Sequence, residues 1–294
     1  AMIALDRLNG LSRVDFVAAL DGVVERAPWV FEAAHALAPF ADLGALLAAL
    51  DTAIRQAPAD RRLALIQGHP DLAGKAARAG DLTAESTAEQ ASAGLDRLSD
   101  AEFADFHRLN DAYRARFGFP FIVCVRRHGK ESILRQFARR LAQDQAAEEA
   151  TAVDEIVRIV ALRLDQRVAA PGRLKVHGRL STHVLDNHRG RPARGVTVAL
   201  YELDGVDAAR LVTRAVTNAD GRTDQPLIGG RPVPIARYEL RFGVSTYFQA
   251  QGVELADPPF LDTVPIRFAV AEPEGHYHVP LLMTPWSYTT YRGS

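Results

Sequence analysis

The sequence predicts two domains of different class, an all-α domain followed by a β-sandwich. Three observations carry this. The chain has 294 residues, more than one hydrophobic core ordinarily serves. Apolar residues recur three and four apart up to about residue 170 and then alternate with polar ones. Between the two regimes stands Ala169-Ala170-Pro171-Gly172, a run that continues neither pattern. We therefore divide the chain into a helical domain over 1–170, a linker over 171–173 and a β domain over 174–294.

The helical reading rests on segments 14–26, 42–56, 60–67, 87–97, 100–116 and 130–146, and on a last helix that places Val153, Ile156, Val157, Val160, Leu164 and Val168 on one face. Asp100, with Phe103, Phe106 and Leu109 behind it, reads as a cap followed by an apolar stripe. Seven or eight helices are expected. In the second half, residues 174–180, 196–201 and 238–242 alternate as strands do, and Asn218-Ala219-Asp220-Gly221 and Ile228-Gly229-Gly230 are turn signals. Short strands with frequent turns over some 120 residues predict a two-sheet sandwich.

Composition narrows the function. A formal net charge of −1 gives no broad attraction to nucleic acid or to an anionic membrane. A single cysteine, Cys124, excludes an intramolecular disulfide framework and any multi-cysteine zinc site. No apolar run is long enough to span a bilayer, and no secretion signal is expected. The expectation is a soluble cytoplasmic protein.

The chemistry of the β half gathers at three places. In Ser181-Thr182-His183-Val184-Leu185-Asp186 a histidine interrupts an apolar strand, where an edge position is one explanation. Arg222 follows the tight turn after Thr217. His276, His278 and Pro280 share one strand face, with Tyr277, Val279 and Leu281 on the other. Two histidines at this spacing suit zinc, but a metal site needs a third ligand and none is nearby, so no metal is expected. Together with the terminal Tyr291-Arg292-Gly293-Ser294, these motifs resemble the transthyretin-related 5-hydroxyisourate hydrolases from about residue 174 to the end. The resemblance implies a transthyretin-like sandwich, homotetrameric assembly, and a catalytic set of His183, Arg222, His278 and Ser294. A neutral imidazole suits water activation, and a guanidinium suits charge developing on an attacked carbonyl. His276 is a further candidate on the face of His278.

In the helical half, Gly68-His69-Pro70-Asp71-Leu72 breaks a helix with a polar turn, and Pro70 biases His69 away from helical geometry. Ser86-x-x-Glu89 reads equally as a capping box opening a helix or as part of a site. Phe117 to Arg126 is aromatic and apolar, either a buried connector or a pocket wall with free amides. Arg163 lies at the edge of a buried helical face, by snorkelling or to hold an anion. Together these pieces resemble 2-oxo-4-hydroxy-4-carboxy-5-ureidoimidazoline (OHCU) decarboxylases over about residues 8–168. That resemblance implies an all-α, often dimeric, cofactor-free domain with His69 and Glu89 as catalytic residues. It further implies that Pro70, Ser86, Gln90, Phe121, Ile122 and Arg163 bind substrate, with Glu89 orienting His69. Arg139 and Arg140 are the alternatives to Arg163.

The product of the first family is the substrate of the second, so the whole chain resembles the allantoin synthases that fuse them. The expected activity is hydrolysis of 5-hydroxyisourate followed by stereospecific decarboxylation to (S)-allantoin. The alternative is a β half that only binds a ligand or oligomerises an active decarboxylase. Ionisable groups at His183, Arg222 and His278 speak against a pure binder, which an apolar channel would serve better.

Overall fold

The structure, a computed structural model, describes residues 2–73, 82–206 and 208–293. It divides into two compact units, one of residues 1–126 and 132–176 and one of residues 127–131 and 177–294.

The described residues of the first half form nine α-helices. These are α1 (Leu5–Asn9), α2 (Arg13–Leu20), α3 (Pro28–His35), α4 (Leu43–Gln56), α5 (Ala59–Gln67), α6 (Ala84–Ser92), α7 (Asp100–Phe117), α8 (Lys130–Leu141) and α9 (Gln145–Arg167). Short strands β1 (Ile3–Ala4) and β2 (Val168–Ala169) pair in parallel.

Local chemistry sets the boundaries, and it corrects several expectations. The helix expected over 14–26 stops at Leu20, because Gly22 (φ 83°) and Arg26 (φ 49°) take left-handed backbone before Pro28 opens α3. α6 starts at Ala84 with the Thr83 hydroxyl accepting from Ser86 N, so Ser86 is an interior residue and not a cap. α7 is capped by Ser99 in a reciprocal box with Glu102, not by Asp100, and ends at Gly118 in the αL conformation. The helix expected over 130–146 stops at Leu141, and Asp144 caps α9 through Ala147 N, nine residues before the expected apolar stripe begins. Val153, Ile156, Val160, Leu164 and Val168 are buried as their spacing requires, with Val157 partly buried beside them.

A buried polar network holds the irregular segment after Gly118. Arg140 lies 4.4 Å over the Phe121 ring and donates from Nη1 to the Ile122 carbonyl (2.5 Å), while its Nε reaches Glu148 (2.6 Å). Cys124 N donates to Glu155 (2.7 Å). The segment is thus a fixed wall.

In the second unit, β3 (Gly178–Asp186), β4 (Arg191–Pro192), β7 (Ile228–Arg231), β10 (His276–Met283) and β11 (Tyr288–Thr290) form one sheet in the order β11-β10-β3-β4, with β7 also on β3. The other sheet is β6-β5-β8-β9, from β5 (Thr197–Asp204), β6 (Ala208–Val216), β8 (Ala236–Gly243) and β9 (Thr263–Val270). α10 (Val244–Ala250) links β8 to β9. β3 and β10 run parallel and the other pairs antiparallel. The first strand starts at Gly178, later than expected, because Arg173 and Leu174 are tied to Asp165. Leu180, Val184, Leu240, Phe242, Val279 and Leu281 face the core between the sheets. Asp186 is fully buried, and accepts from His188 N, Arg189 N and the Tyr247 hydroxyl. No described helix is long and apolar enough to cross a membrane.

Two candidate active sites

The helical unit brings its expected residues into one pocket. It is lined by His69, Pro70, Ser86, Glu89, Gln90, Phe121, Ile122 and Arg163, with Leu72, Val123, Val125 and Ile159 as apolar wall. The turn just after α5 delivers His69. α6 delivers Ser86, Glu89 and Gln90 from one face, as residues three and four apart on a helix must be. α9 delivers Arg163, and the wall fixed by Arg140 delivers Phe121 and Ile122. Arg140 stands outside the pocket and Arg139 bonds Gln136, which leaves Arg163 as the pocket's arginine.

His69 is 8% exposed, and its Nδ1 donates to the Leu65 carbonyl at 2.9 Å. A carbonyl only accepts, so the proton sits on Nδ1 and Nε2 keeps its lone pair. Burial lowers the His69 pKa and keeps the ring neutral; the Leu65 bond and Glu25 oppose this, and Arg163 and Arg26 add to it. Leu65, not Glu89, therefore orients this ring.

Glu89 is held by Arg163 instead, with Nε on Oε1 and Nη2 on Oε2, both at 2.8 Å. Arg163 also donates from Nη1 to Gly22 O (2.9 Å) and Glu25 (3.0 Å) and from Nη2 to Ser86 Oγ (3.4 Å). These five contacts match the five N–H groups a guanidinium has. Neither snorkelling nor a bound anion describes it. Gln90 Oε1 accepts from Ala73 N (2.9 Å), and Asn110 Nδ2 donates to Leu72 O (2.8 Å), which ties the turn after Pro70 to α7. Periodicity alone misses Glu25, because an apparent helix over 14–26 runs through it; Gly22 and Pro28 are the signals that break that helix.

The β unit gathers its set on the outward face of β3 and β10. His183 does not lie on an edge strand, since β3 stands between β10 and β4. Arg222 pairs with His183 through an isolated antiparallel bridge, and Gly293 pairs with His278 in the same way. Register places Ser181 beside His278 and His183 beside Pro280. The turn carrying Arg222 is folded by Asn218, whose side chain accepts from Asp220 N and Arg222 N, and is pinned to β3 by Val184 N donating to Gly221 O (2.8 Å). Gly221 has φ 71°, and a Cβ there would lie 2.3 Å from Val184 O, so glycine is required.

His183 Nε2 donates to Asp220 O at 2.8 Å, which leaves Nδ1 as its basic nitrogen. His278 Nδ1 meets the Ser181 hydroxyl at 2.9 Å. Both imidazoles have lowered pKa values, first through burial and then through the Arg222 charge, with His183 adding to the effect on His278. The Arg222 guanidinium makes no ion pair among the described residues. His276 is exposed, opposite Arg179. Ser294 lies outside the described residues. A larger depression on the β6-β5-β8-β9 sheet holds no comparable set: its Arg241 is committed to Glu239 (2.6 Å) and the Tyr201 ring (4.1 Å). The described residues hold no group of three potential metal ligands.

A helical unit with a buried neutral histidine, joined to a sandwich with a His–Arg–His face whose histidines are half-buried, defines a two-site fusion of small-molecule enzyme folds. The chain belongs to the OHCU decarboxylase family, which matches residues 9–165, and to the HIUase/Transthyretin family, which matches residues 180–293. It is 58% identical over 118 residues to a 5-hydroxyisourate hydrolase of Deinococcus radiodurans, covering 40% of this chain and 98% of that protein. It is 40% identical over 165 residues to the 2-oxo-4-hydroxy-4-carboxy-5-ureidoimidazoline decarboxylase of Amia calva, covering 56% of this chain and 94% of that protein. Across both halves it resembles the crystal structure of an (S)-allantoin synthase, with 32% identity, 99% of this chain and 100% of that chain covered, and a TM-score of 0.50.

Proposed function

We propose that the chain is a bifunctional enzyme of urate degradation that hydrolyses 5-hydroxyisourate to OHCU and decarboxylates OHCU to (S)-allantoin. The observation that carries this reading is that the polar groups of both families stand together at two separate sites in one chain, each built around neutral histidine. The carboxyl and ureido groups in the name of OHCU are the two halves of a hydrolysed ring amide, so one site makes what the other consumes.

At the β site a water attacks the ring carbonyl, His183 or His278 takes its proton, and Arg222 stabilises the oxyanion. The ring C–N bond then breaks, and the departing nitrogen takes a proton. The Ser294 hydroxyl binds substrate or water. At the helical site CO2 leaves, and its electron pair passes into the imidazoline double bond. The hydroxyl then becomes a carbonyl, and the ureido-bearing carbon gains hydrogen, so that overall one proton replaces CO2. His69 Nε2 accepts the hydroxyl proton and returns one to carbon from the same face, which sets the hand of the product. Glu89 and Gln90 hold the ureido group, with Ser86, Pro70, Phe121 and Ile122 around it. Neither step calls for a cofactor.

We also assign the chain to a cytoplasmic homo-oligomer built on a tetrameric β core, with dimerisation of the helical domains as a further contact. Exposed Trp286, Tyr288 and Tyr291 and the single free Cys124 support this reading.

Single-site variants test the assignment. His183→Ala is expected to slow enzymatic loss of 5-hydroxyisourate by about 10²-fold or more and leave OHCU decarboxylation intact, with His69→Ala doing the reverse. Unchanged hydrolysis in His183→Ala would favour a β domain that only binds or oligomerises.

A further inference from the structure

Glu25 belongs to no set of residues read from the sequence, yet it is 5% exposed and its Oε2 lies 3.0 Å from Arg163 Nη1 and 3.5 Å from Ser86 Oγ. It sits in the tight turn between α2 and α3. That turn offers Arg163 a second acceptor, the Gly22 carbonyl, at 2.9 Å. The turn is held in place: Val23, Val24 and Ala27 are buried, Gly22 and Arg26 have left-handed backbone, and Arg167 bonds Ala19 O just before it. A non-glycine residue kept at φ 49° marks a backbone that its surroundings overdetermine.

Two carboxylates therefore share one buried guanidinium, and they do so asymmetrically. Glu89 takes the fork of Nε and Nη2 with both oxygens, whereas Glu25 and Gly22 occupy Nη1. With Nη1 fixed from the α2–α3 side, the guanidinium plane cannot rotate, and the fork holds Glu89 in one orientation at the pocket wall. Each N–H of Arg163 has a protein acceptor, so none is left over for substrate.

We propose that Glu25 is a positioning residue of the helical site: it fixes Arg163, and Arg163 thereby orients the catalytic carboxylate of Glu89 instead of binding substrate. The inference rests on the decarboxylase reading above. Two consequences distinguish it from a merely structural role. Loss of Glu25 reduces turnover more than it weakens substrate binding, because Gln90 and the Phe121–Ile122 wall still hold substrate when Glu89 loses its alignment. A side chain that keeps an acceptor at the same distance restores turnover even without the charge, since the amide oxygen introduced by Glu25→Gln still accepts from Nη1.

The test uses the full-length chain, with OHCU generated in place from urate, urate oxidase and an excess of separate hydrolase. Glu25→Ala is expected to lower kcat for decarboxylation by at least about tenfold with KM within about threefold of wild type, and to reduce the enantiomeric excess of allantoin. Glu25→Gln is expected to return kcat to within about threefold of wild type. Should Glu25→Ala fail to fold, Glu25→Asp decides: its carboxylate is withdrawn by one methylene, and kcat is expected to fall with KM kept. Wild-type kcat and enantiomeric excess in folded Glu25→Ala or Glu25→Asp would overturn the proposal, as would Glu25→Gln as impaired as Glu25→Ala. A wild-type chain that does not accelerate decarboxylation overturns the reading of the site itself, whatever the variants do.

Discussion

At the scale of single residues, each site works by fixing which nitrogen of a histidine carries the proton. Leu65 O does so for His69 and Asp220 O for His183, and in both cases a carbonyl that can only accept leaves the opposite nitrogen basic. Arg222 has a second effect besides any contact with substrate, since its charge helps hold His183 and His278 below the ordinary histidine pKa. Both imidazoles are then unprotonated at neutral pH, and hydrolase activity persists below about pH 6.5 before falling as they take up protons. Arg222→Gln removes that charge, so both pKa values rise and the acid limb of kcat/KM moves to higher pH, alongside a loss of about 10²-fold in the plateau. A pH–rate profile of this variant checks the sign: an acid limb that stays in place or moves to lower pH contradicts it.

At the scale of elements, legibility in the sequence depends on how strongly local chemistry declares itself. The stripe of α9 and the alternation of β5, β8 and β10 mark buried faces directly and follow from spacing alone, whereas the start of β3 does not. Ser86 is ambiguous because its spacing to Glu89 fits a cap and a site equally. Only the Thr83 cap one turn earlier places Ser86 inside α6, where it meets Arg163. Glu25 is invisible for a different reason, since its function depends on a turn whose two left-handed residues leave little periodic trace. That Arg163 holds Glu89 cannot be read at all, because a bond across 74 positions has no local signature. The tail is an element of the same kind. Gly293 bridges His278 so closely that an added Cβ would lie 2.6 Å from the ring's Cδ2. Gly293→Ala must therefore shift either the tail or the imidazole. Hydrolysis of 5-hydroxyisourate is expected to fall by about tenfold or more, with decarboxylation within about twofold, measured on the same preparation. Equal losses at both sites would contradict the placement of the tail at the β site.

At the scale of the whole molecule, the two units carry separate polar sets with complementary chemistry: one opens a ring with water, the other removes the carboxylate that this opening creates. Fusion ensures that wherever the unstable intermediate is made, a catalyst for its stereospecific conversion is present in equal amount. The measurement that tests this most directly is circular dichroism of product during oxidation of urate by urate oxidase, with this chain as the only other enzyme. The account predicts rapid growth of the signal of dextrorotatory (S)-allantoin as 5-hydroxyisourate disappears. Accumulation of OHCU followed by slow, optically silent allantoin would contradict the decarboxylase half, and 5-hydroxyisourate decaying no faster than in buffer would contradict the hydrolase half.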